Sequence, residues 1–401
     1  MKVLQINSVC GIGSTGRIVT DIHNMLLEQG HESYVAYGRD LPKNCNNSIR
    51  IGSKIDNYTH AAITRVFDKH GFGSKRSTIE FIDKVERINP DIIHLHNIHG
   101  YYINIEILFK YLKESRKQVV WTLHDCWSFT GHCSHFDYVG CKKWEKECYD
   151  CPQKKRYPTS FCFDNSRKNY NIKKLLFTGI ENMTIVTPSK WLYKTAKKSF
   201  LKEYPVKVIN NGIDLDIFKP TDNNFREIKG IDDKFIILGV ANVWNDRKGF
   251  QCFIELSSML ADDEIIVLVG LTEKQKRHIP DNIIGITRTN DTKELVEIYT
   301  ASNVFVNPTL EEVLGMTNIE ALACGTPVIT YNTGGSVESI GEKCGYVTKN
   351  KDSKNIYNEI KILRKVTPEA RDCIEKSKEF SKYKKLSMYI DLYKTLETMS
   401  K

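Results

Sequence analysis

The 401-residue sequence has no stretch that approaches the roughly 20 uninterrupted apolar residues needed to cross a membrane. Met1 to Asn7 carry one lysine and a short apolar run that ends in polar residues, so they indicate a strand and not a signal peptide. The sequence also lacks an Asp-x-Asp metal-binding pattern after a strand, and no recognised nucleic-acid module accompanies its positive charge. These absences predict a cytoplasmic protein that uses no catalytic metal and binds no nucleic acid.

The cysteines are unevenly distributed. Twelve cysteines without an export signal predict reduced thiols, some of them metal ligands, rather than a disulfide framework. Four of them lie close together in a Cys-rich segment of residues 126–162 and end in Cys-x-x-Cys-Pro: Cys133, Cys141, Cys148 and Cys151. One interpretation is a structural zinc site with tetrahedral thiolate ligands. The other is a set of free thiols, because the first gap is longer than in a paired zinc knuckle.

The formal net charge is +9, from 58 Lys and Arg against 49 Asp and Glu. Most of the excess lies between Lys154 and Lys207, in the runs Lys154–Arg156, Lys173–Lys174 and Lys197–Lys198. Two interpretations remain open. In the first, these runs form an ordinary solvated face. In the second, they form a surface that contacts anionic lipid head groups or a lipid-pyrophosphate acceptor.

The length suits two domains of about 200 residues each. Short β-branched runs alternate with segments of helical period in both halves, which predicts α/β domains with parallel sheets. The predicted strands are 3–7, 32–37, 92–96, 119–123 and 184–188 in the first half, and 235–240, 265–269, 283–286, 304–306 and 328–330 in the second.

A turn-rich segment, 208–220, predicts the boundary between the halves. The expected division is a first domain of residues 1–207, which includes the Cys-rich insertion, and a second domain of residues 208–379. The C-terminal stretch 380–401 has helical period, and we expect it to cross back to the first domain.

Gly11, Gly13 and Gly16 fit the pattern G-x-G-x-x-G between a strand and a predicted helix, Arg17–Gln29. This is the context of a dinucleotide-binding loop, so an NAD(P)-dependent oxidoreductase is an alternative function. That fingerprint also needs an acidic residue at the end of the second strand, but Asp40 comes only after that strand has ended. We therefore favour phosphate contact at Gly13 and Gly16, with a purely structural turn as the third interpretation.

In the second half, a loop containing Glu312 leads into a helix that ends at Gly325. Glu320, inside this helix, is suited to accept hydrogen bonds from a ribose diol. The helix start predicts free backbone N–H groups for pyrophosphate oxygens. The residues expected to supply them are Gly315, Met316, Thr317 and Asn318.

Glu312, Leu314-Gly315 and Glu320-Ala321 resemble the motif of the retaining glycosyltransferases of family 4. The resemblance covers nearly the whole chain, with further landmarks at Gly30-His31, 91–96, 187–191, 208–220 and 380–383. It implies the GT-B fold, in which two Rossmann-like domains face a central cleft. We expect that fold here.

The resemblance also implies roles for residues outside this motif. Lys248 matches the family's Lys-Gly and is expected to hold a diphosphate, while His124 matches a histidine that faces the donor sugar. Asp125 either orients His124 or caps the next turn. The family commonly has an arginine where Asn242 stands, and Arg247 either takes over that charge or is merely solvated.

The implied activity is retaining transfer of a sugar from a nucleoside-diphosphate sugar to a glycan or lipid-linked acceptor, in the biosynthesis of a surface polysaccharide such as capsule or lipopolysaccharide. No cofactor is expected for catalysis. The expected location is cytoplasmic, with peripheral contact to the inner membrane face as an extension. A catalytically inactive, glycan-binding GT-B scaffold is the second alternative function, and the missing arginine is its best support.

The candidate site residues divide into two groups. The predicted catalytic residues are His124, Lys248 and Glu312. The predicted donor-binding residues are Gly13, Gly16, Arg247, Gly315, Met316, Thr317 and Glu320.

Overall fold

The computed structural model describes residues 1–399 and divides the chain into two α/β units. The first unit comprises Met1–Asn210 and the chain from Leu386 onward, and the second comprises Asn211–Lys385. These divisions lie a few residues after those expected from the sequence. The last two residues of the predicted segment 380–401 lie outside the described residues.

The first unit contains a seven-stranded sheet in the order β3-β2-β1-β4-β5-β6-β7, with every pair parallel. Its strands are β1 (Lys2–Asn7), β2 (Glu32–Tyr37), β3 (Ser48–Arg50), β4 (Ile92–Leu95), β5 (Gln118–Thr122), β6 (Met183–Thr187) and β7 (Val206–Val208). The residues of β4, β5 and β6 are buried throughout. Such strands are typical of a parallel sheet covered on both faces.

Six α-helices lie between the strands of the first unit, and local side-chain caps define the first residues of some of them. They are α1 (Gly13–Glu28), α2 (Lys54–Phe67), α3 (Lys75–Ile88), α4 (Ile105–Ser115), α5 (Ser166–Phe177) and α6 (Lys190–Ala196). Ser53 begins α2 with a capping box to Asp56, and Asn104 caps α4. α2 ends at Asp68 in the left-handed conformation. On α1, the buried Ile22, Met25 and Leu26 pack in one cluster with residues of β1 and β4.

The second unit contains a six-stranded parallel sheet in the order β10-β9-β8-β11-β12-β13. Its strands are β8 (Phe235–Val240), β9 (Glu264–Val269), β10 (Ile283–Ile286), β11 (Val304–Asn307), β12 (Val328–Tyr331) and β13 (Gly345–Thr348). The helices are α7 (Phe225–Lys229), α8 (Phe250–Ser257), α9 (Glu273–Lys276), α10 (Thr292–Ala301), α11 (Met316–Ala323), α12 (Ser353–Lys365) and α13 (Ala370–Ser377). Two apolar clusters, one on each face of the sheet, form the core.

The last helix, α14 (Lys382–Met399), packs on the first unit from Leu386 onward. Its buried side chains, including Tyr389 and Tyr393, join a cluster that contains Val3 and Ile92. Burial of each large apolar side chain stabilises this packing by about 1.5–3 kcal/mol. Neither α14 nor any other helix within residues 1–399 is both long and apolar enough to cross a membrane.

The structure confirms every strand predicted from the sequence, within one residue at each end. The strands β3, β7 and β13 were not predicted. All three lie at a sheet edge, and β3 and β7 are only partly buried, so their sequences lack a continuous apolar run. The prediction that α1 begins at Arg17 is wrong, because the helix begins at Gly13.

Candidate functional site

The second sheet has a switch point between β8 and β11. From β8 the chain continues to β9 and β10 on one side, whereas β12 and β13 lie on the other side of β11. Ligands of such sheets bind beyond the carboxyl ends of the strands where the order reverses. The loops in this position are 241–249 after β8 and 308–315 after β11.

The two loops approach each other at Lys248 and Glu312. The Asn245 side chain accepts the Lys248 backbone N–H at 3.1 Å and fixes a short 3-10 turn. Gly249 follows with φ +76°, and a Cβ there would lie 2.3 Å from the Pro308 carbonyl oxygen. Only glycine permits this approach. The Lys248 Nζ then donates to Glu312 Oε2 at 2.7 Å, so the structure brings these two predicted residues together.

The backbone of Glu312 is held by the loop after β12. The Gly335 N–H donates to the Glu312 carbonyl oxygen at 3.0 Å. A Cβ at Gly334 would lie 1.9 Å from the same oxygen. The Lys248 and Glu312 side chains remain 29% and 19% exposed. Because solvent screens such a pair, it contributes little to stability but can meet a ligand.

Arg247 has a partner that the sequence motif does not indicate. Its Nη1 lies 3.8 Å from Oε2 of Glu311, whose side chain is buried. The Arg247 carbonyl oxygen also accepts the Leu310 N–H at 2.8 Å, which ties the two loops together. Arg247 is therefore not merely solvated. Asn242, at the place of the expected arginine, is exposed.

The start of α11 offers fewer N–H groups than predicted. The Met316 N–H donates to the Leu314 carbonyl oxygen at 2.8 Å, and the Asn318 N–H donates to that of Gly315 at 3.1 Å. The prediction of free N–H groups is wrong for these two residues. Among the described residues, no side chain caps the helix at Gly315.

Asn318 instead anchors a buried polar network. Its Nδ2 donates to Ser336 Oγ at 3.1 Å and to Ser339 Oγ at 3.0 Å. Its Oδ1 accepts from Asn307 Nδ2 at 2.7 Å. These bonds fix the start of α11 against the end of β11. Only the polar residue types could have indicated them in the sequence.

Glu320 is oriented by a buried tyrosine. The Tyr299 hydroxyl donates to Glu320 Oε2 at 3.0 Å. Burial, together with the Glu320 carboxylate, raises the pKa of Tyr299 well above its ordinary value. The tyrosine therefore stays protonated and remains a donor, so the carboxylate keeps its position on α11.

In the first unit, the glycine loop follows β1 at the switch point with β4. Gly13 has φ +65°, and a Cβ there would meet no atom within 4 Å, so its surroundings are open. Gly16 is different. It is buried in the first turn of α1, where a Cβ would lie 3.1 Å from the Val9 side chain and its carbonyl oxygen accepts the Gly11 N–H at 3.0 Å. Its visible role is close packing.

His124 follows β5 and belongs to a chain of imidazoles. Its Nε2 lies 3.0 Å from Nδ1 of His96, whose Nε2 lies 3.2 Å from Gln5 Oε1. The neighbouring His94 bonds Thr122 Oγ1 at 2.7 Å and the Tyr393 hydroxyl at 2.6 Å. Burial lowers the pKa of His124 to about 4 and those of His94 and His96 well below the ordinary value. All three rings are therefore neutral at pH near 7.

Asp125 pairs with His99 and not with His124. Its Oδ2 lies 3.0 Å from His99 Nε2, and its Oδ1 accepts the Trp127 N–H at 2.9 Å. Burial would raise the pKa of Asp125, but His99 and the Trp127 N–H outweigh it and lower the pKa to about 2. Of the two predicted roles, the structure supports a cap on the next turn.

Four of the six cysteines of the Cys-rich segment line one small pocket. Its lining includes His132 and all four predicted ligands, namely Cys133, Cys141, Cys148 and Cys151. All twelve cysteines of the chain are free thiols. Within residues 1–399, however, no group of three or more His, Cys, Asp or Glu side chains is arranged to hold a metal ion. The zinc site therefore stays a prediction.

Lys173 is an exception within the predicted basic surface. It is buried, its Nζ donates to the carbonyl oxygens of Trp127 at 2.9 Å and Thr130 at 3.1 Å, and it lies 3.3 Å from the Trp127 ring centroid. Burial lowers its pKa to about 7. Lys173 thus holds the chain around 127–130 and adds nothing to the surface, whereas Lys155, Arg156, Lys174, Lys197 and Lys198 are exposed.

Two family models match the chain. The model "Glycosyltransferase Family 4" matches residues 15–217, about half of the chain, and "Glycosyl transferases group 1" matches residues 221–380. Neither match favours the oxidoreductase or the inactive scaffold.

This chain is also similar to individual curated proteins and solved structures. A glycosyl transferase provisionally assigned to colanic acid biosynthesis, WcaC of Escherichia coli (strain K12), is 27% identical over 54% of this chain and 55% of that protein. The alignment thus spans about half of this curated relative. Sucrose-phosphate synthase from Thermosynechococcus elongatus superposes with a TM-score of 0.72 at 17% identity over 100% of both chains. Anabaena Alr3699/HepE, solved with UDP and glucose, has a TM-score of 0.68 at 14% identity over 98% of this chain and 100% of that one. These structures confirm the predicted GT-B fold.

Proposed function

Because the chain belongs to glycosyltransferase family 4, we propose that it is a retaining glycosyltransferase that moves a hexosyl group from a nucleoside-diphosphate sugar to an acceptor hydroxyl. The observation that carries this proposal is the contact between Lys248 and Glu312 at the switch point of the second sheet. A cation and a carboxylate placed there suit a donor that has a diphosphate at one end and a polar sugar at the other.

The donor's nucleotide part is assigned to the second unit. Glu320, held by Tyr299, accepts hydrogen bonds from the ribose diol. Lys248, Arg247 and the backbone at Gly315 and Thr317 stabilise the diphosphate, with the positive end of α11 adding to the attraction. We assign Met316 a contact with the donor through its side chain, because its N–H already donates to the Leu314 carbonyl oxygen.

The sugar end is assigned to Glu312 and His124. A donor phosphate competes with Glu312 for Lys248, which leaves the carboxylate to bind sugar hydroxyls. His124, neutral because of its lowered pKa, offers a hydrogen bond and no charge. Gly13, whose surroundings are open, supplies the phosphate contact of the first unit, and Gly16 supports the turn by close packing.

The transfer step needs no cofactor. The acceptor hydroxyl attacks the anomeric carbon from the face of the leaving group, and the hydroxyl proton passes to the departing phosphate. Lys248 and Arg247 stabilise the negative charge that develops on the diphosphate, an electrostatic role that requires no acid. The configuration at the anomeric carbon is retained.

A thermal-shift panel tests donor binding. UDP, GDP, ADP and dTDP are compared with NADH and NADPH on the purified chain. We expect one nucleoside diphosphate to raise Tm, since a ligand at 100 times its Kd stabilises by about 2.7 kcal/mol. Stabilisation by a reduced nicotinamide cofactor and by no diphosphate would contradict the proposal. Release of diphosphate from the matching sugar nucleotide then separates an enzyme from an inactive scaffold.

The acceptor is a glycan or lipid-linked saccharide of a surface polysaccharide, of the capsule or lipopolysaccharide class. The relative named for colanic acid biosynthesis supports this class. The exposed cations Lys155, Arg156, Lys197 and Lys198 support a cytoplasmic enzyme that contacts the anionic face of a membrane. Co-sedimentation with phosphatidylglycerol vesicles tests the contact, and binding that is the same to neutral phosphatidylcholine vesicles would contradict it.

Structural zinc in the Cys-rich segment stays a prediction from the sequence spacing alone. The test is the metal content of the purified chain before and after a chelator. One equivalent of zinc lost with Cys133→Ser and Cys151→Ser would support it, and metal-free protein with unchanged Tm would exclude it.

A further inference from the structure

Two cysteines outside the Cys-rich segment lie together next to the glycine loop. Cys10 is fully buried after β1, and Cys45 is partly exposed and packs against the cluster that contains Cys10, Val19 and Val35. The two thiols are close enough that each shifts the pKa of the other. Their chain segments are also tied, because the Lys43 N–H donates to the Cys10 carbonyl oxygen at 3.1 Å.

A buried histidine faces this pair. His23 on α1 is 0% exposed, and its Nδ1 bonds Ser33 Oγ at 2.8 Å. Its Nε2 has no conventional hydrogen-bond partner in the described part of the chain, and the ring interacts with the Cys45 thiol. A cysteine beside an imidazole and a second thiol is the arrangement that favours a reactive thiolate.

The two thiols differ in ionisation. The hydrogen bond from Cys10 lowers the pKa of Cys45, with a further contribution from His23, whereas the contact with Cys45 and burial raise the pKa of Cys10. Because Cys45 is also the partly exposed thiol of the two, we assign it as the attacking thiolate and the buried Cys10 as the protonated thiol that follows.

We propose that Cys10 and Cys45 form a reversible disulfide by exchange with a low-molecular-weight disulfide such as oxidised glutathione, with Cys45 as the attacking thiol, Cys10 as the resolving thiol and His23 as a positioning residue. In the first step the Cys45 thiolate attacks one glutathione sulfur, the glutathione S–S bond breaks, and one glutathione thiolate leaves. In the second, Cys10 loses its proton to that thiolate and attacks the Cys45 sulfur, which releases the second glutathione as a thiolate that takes from water the proton Cys45 had given up. Two protein thiols are oxidised and one disulfide is reduced to two thiols.

The Cys10–Cys45 pair lies where a disulfide would restrain the glycine loop between β1 and α1. Gly11 follows Cys10 directly, and a Cβ at Gly11 would lie 2.1 Å from the Lys43 carbonyl oxygen. The loop between β1 and α1 therefore already rests on the segment that carries Cys45. A disulfide makes this contact covalent and fixes the backbone that leads to Gly13.

The experiment uses the native chain in buffers of oxidised and reduced glutathione, with N-ethylmaleimide quenching and peptide mass mapping. Cys162, which is exposed, serves as the internal reference. We expect a linked peptide pair containing Cys10 and Cys45 to appear at least about tenfold faster than glutathionylation of Cys162, and to disappear on reduction. Modification of Cys162 while Cys10 and Cys45 remain thiols would overturn the proposal.

Variants test the order of the steps. Cys10→Ala leaves a stable glutathione adduct on Cys45, whereas Cys45→Ser leaves Cys10 unmodified. His23→Gln keeps both thiols and lowers the rate at which the Cys10–Cys45 disulfide forms. The difference in rate from the wild type becomes smaller at high pH, where the Cys45 thiolate forms without the imidazole. A glutathione adduct on Cys10 in Cys45→Ser, or an unchanged rate in His23→Gln, would contradict the assignment. All readouts are thiol states, so they are independent of glycosyl transfer.

Discussion

The two sheets end in opposite electrostatic surroundings. In the first unit, the buried His94 and His96 and the partly exposed His124 form a chain of neutral rings. In the second, Lys248 and Glu312 form a partly exposed ion pair at 2.7 Å. His94 and His96 belong to the folding framework, because their ring nitrogens are hydrogen-bonded out of water, whereas His124 is the ring assigned to the donor sugar. The ion pair of the second unit stabilises little, so its placement is better explained by a ligand.

The largest expected effect is on turnover. Lys248→Ala removes the cation assigned to the leaving diphosphate and should lower kcat for donor turnover about 100–1000-fold. The same change should cost less than about 1 kcal/mol in the free energy of unfolding, since the pair is screened by solvent. Lys293→Ala, in a pair with the partly exposed Glu297 on α10, is the matched control and should change neither quantity. A large loss of stability in Lys248→Ala would show that the ion pair of the second unit stabilises the fold, as the histidine chain of the first unit does.

The next effect concerns nucleotide affinity. Glu320→Gln removes a charged acceptor from the ribose site and should weaken nucleoside-diphosphate binding about 10–100-fold by calorimetric titration. Tyr299→Phe removes only the hydrogen bond that orients this carboxylate, so its loss should be smaller. An equal or greater loss in Tyr299→Phe would argue that Glu320 does not itself touch the nucleotide.

In the first unit, the expected effect is on stability. Tyr393→Phe leaves Nδ1 of the buried His94 without its 2.6 Å partner and should cost about 1–3 kcal/mol in urea unfolding. Tyr389→Phe is the matched control, because its hydroxyl accepts only a longer 3.3 Å bond from Thr122. Equal stability of the two variants would show that the histidine chain is not part of the framework.

The smallest expected effect is a pH dependence. The lowered pKa of His124 means that the unfolded chain binds a proton where the folded chain does not. The contribution of the neutral His124 ring to the free energy of unfolding is complete above about pH 6.5 and is lost as pH falls through the folded pKa of about 4. His124→Gln should therefore lose less stability than the wild type between about pH 6.5 and pH 4.5 in urea midpoints. Parallel pH profiles would contradict the neutral-ring assignment.

The sequence was most informative where function or burial constrains short segments. Continuous apolar runs located the central strands, and the motif residues Lys248 and Glu312 are in contact in the second unit. The partly buried edge strands β3 and β7 lack such runs and could not be located.

Partners that depend on tertiary neighbours also escaped prediction. Lys173 looks like any surface lysine until Trp127 and Thr130 are seen to surround its ammonium group. Asp125 was equally suited to His124 by sequence, yet the fold brings His99 to it. Residue type and spacing do not encode such distant contacts, because burial decides which polar groups must pair.

The central claim is that the pair at the second switch point serves glycosyl transfer. The most direct measurement is the rate of diphosphate release from the sugar nucleotide whose nucleoside diphosphate stabilises the chain, for the wild type and Glu312→Gln. We predict measurable release by the wild type and a rate at least about 100-fold lower in the variant, with Tm nearly unchanged. Equal rates in the two proteins would contradict the account.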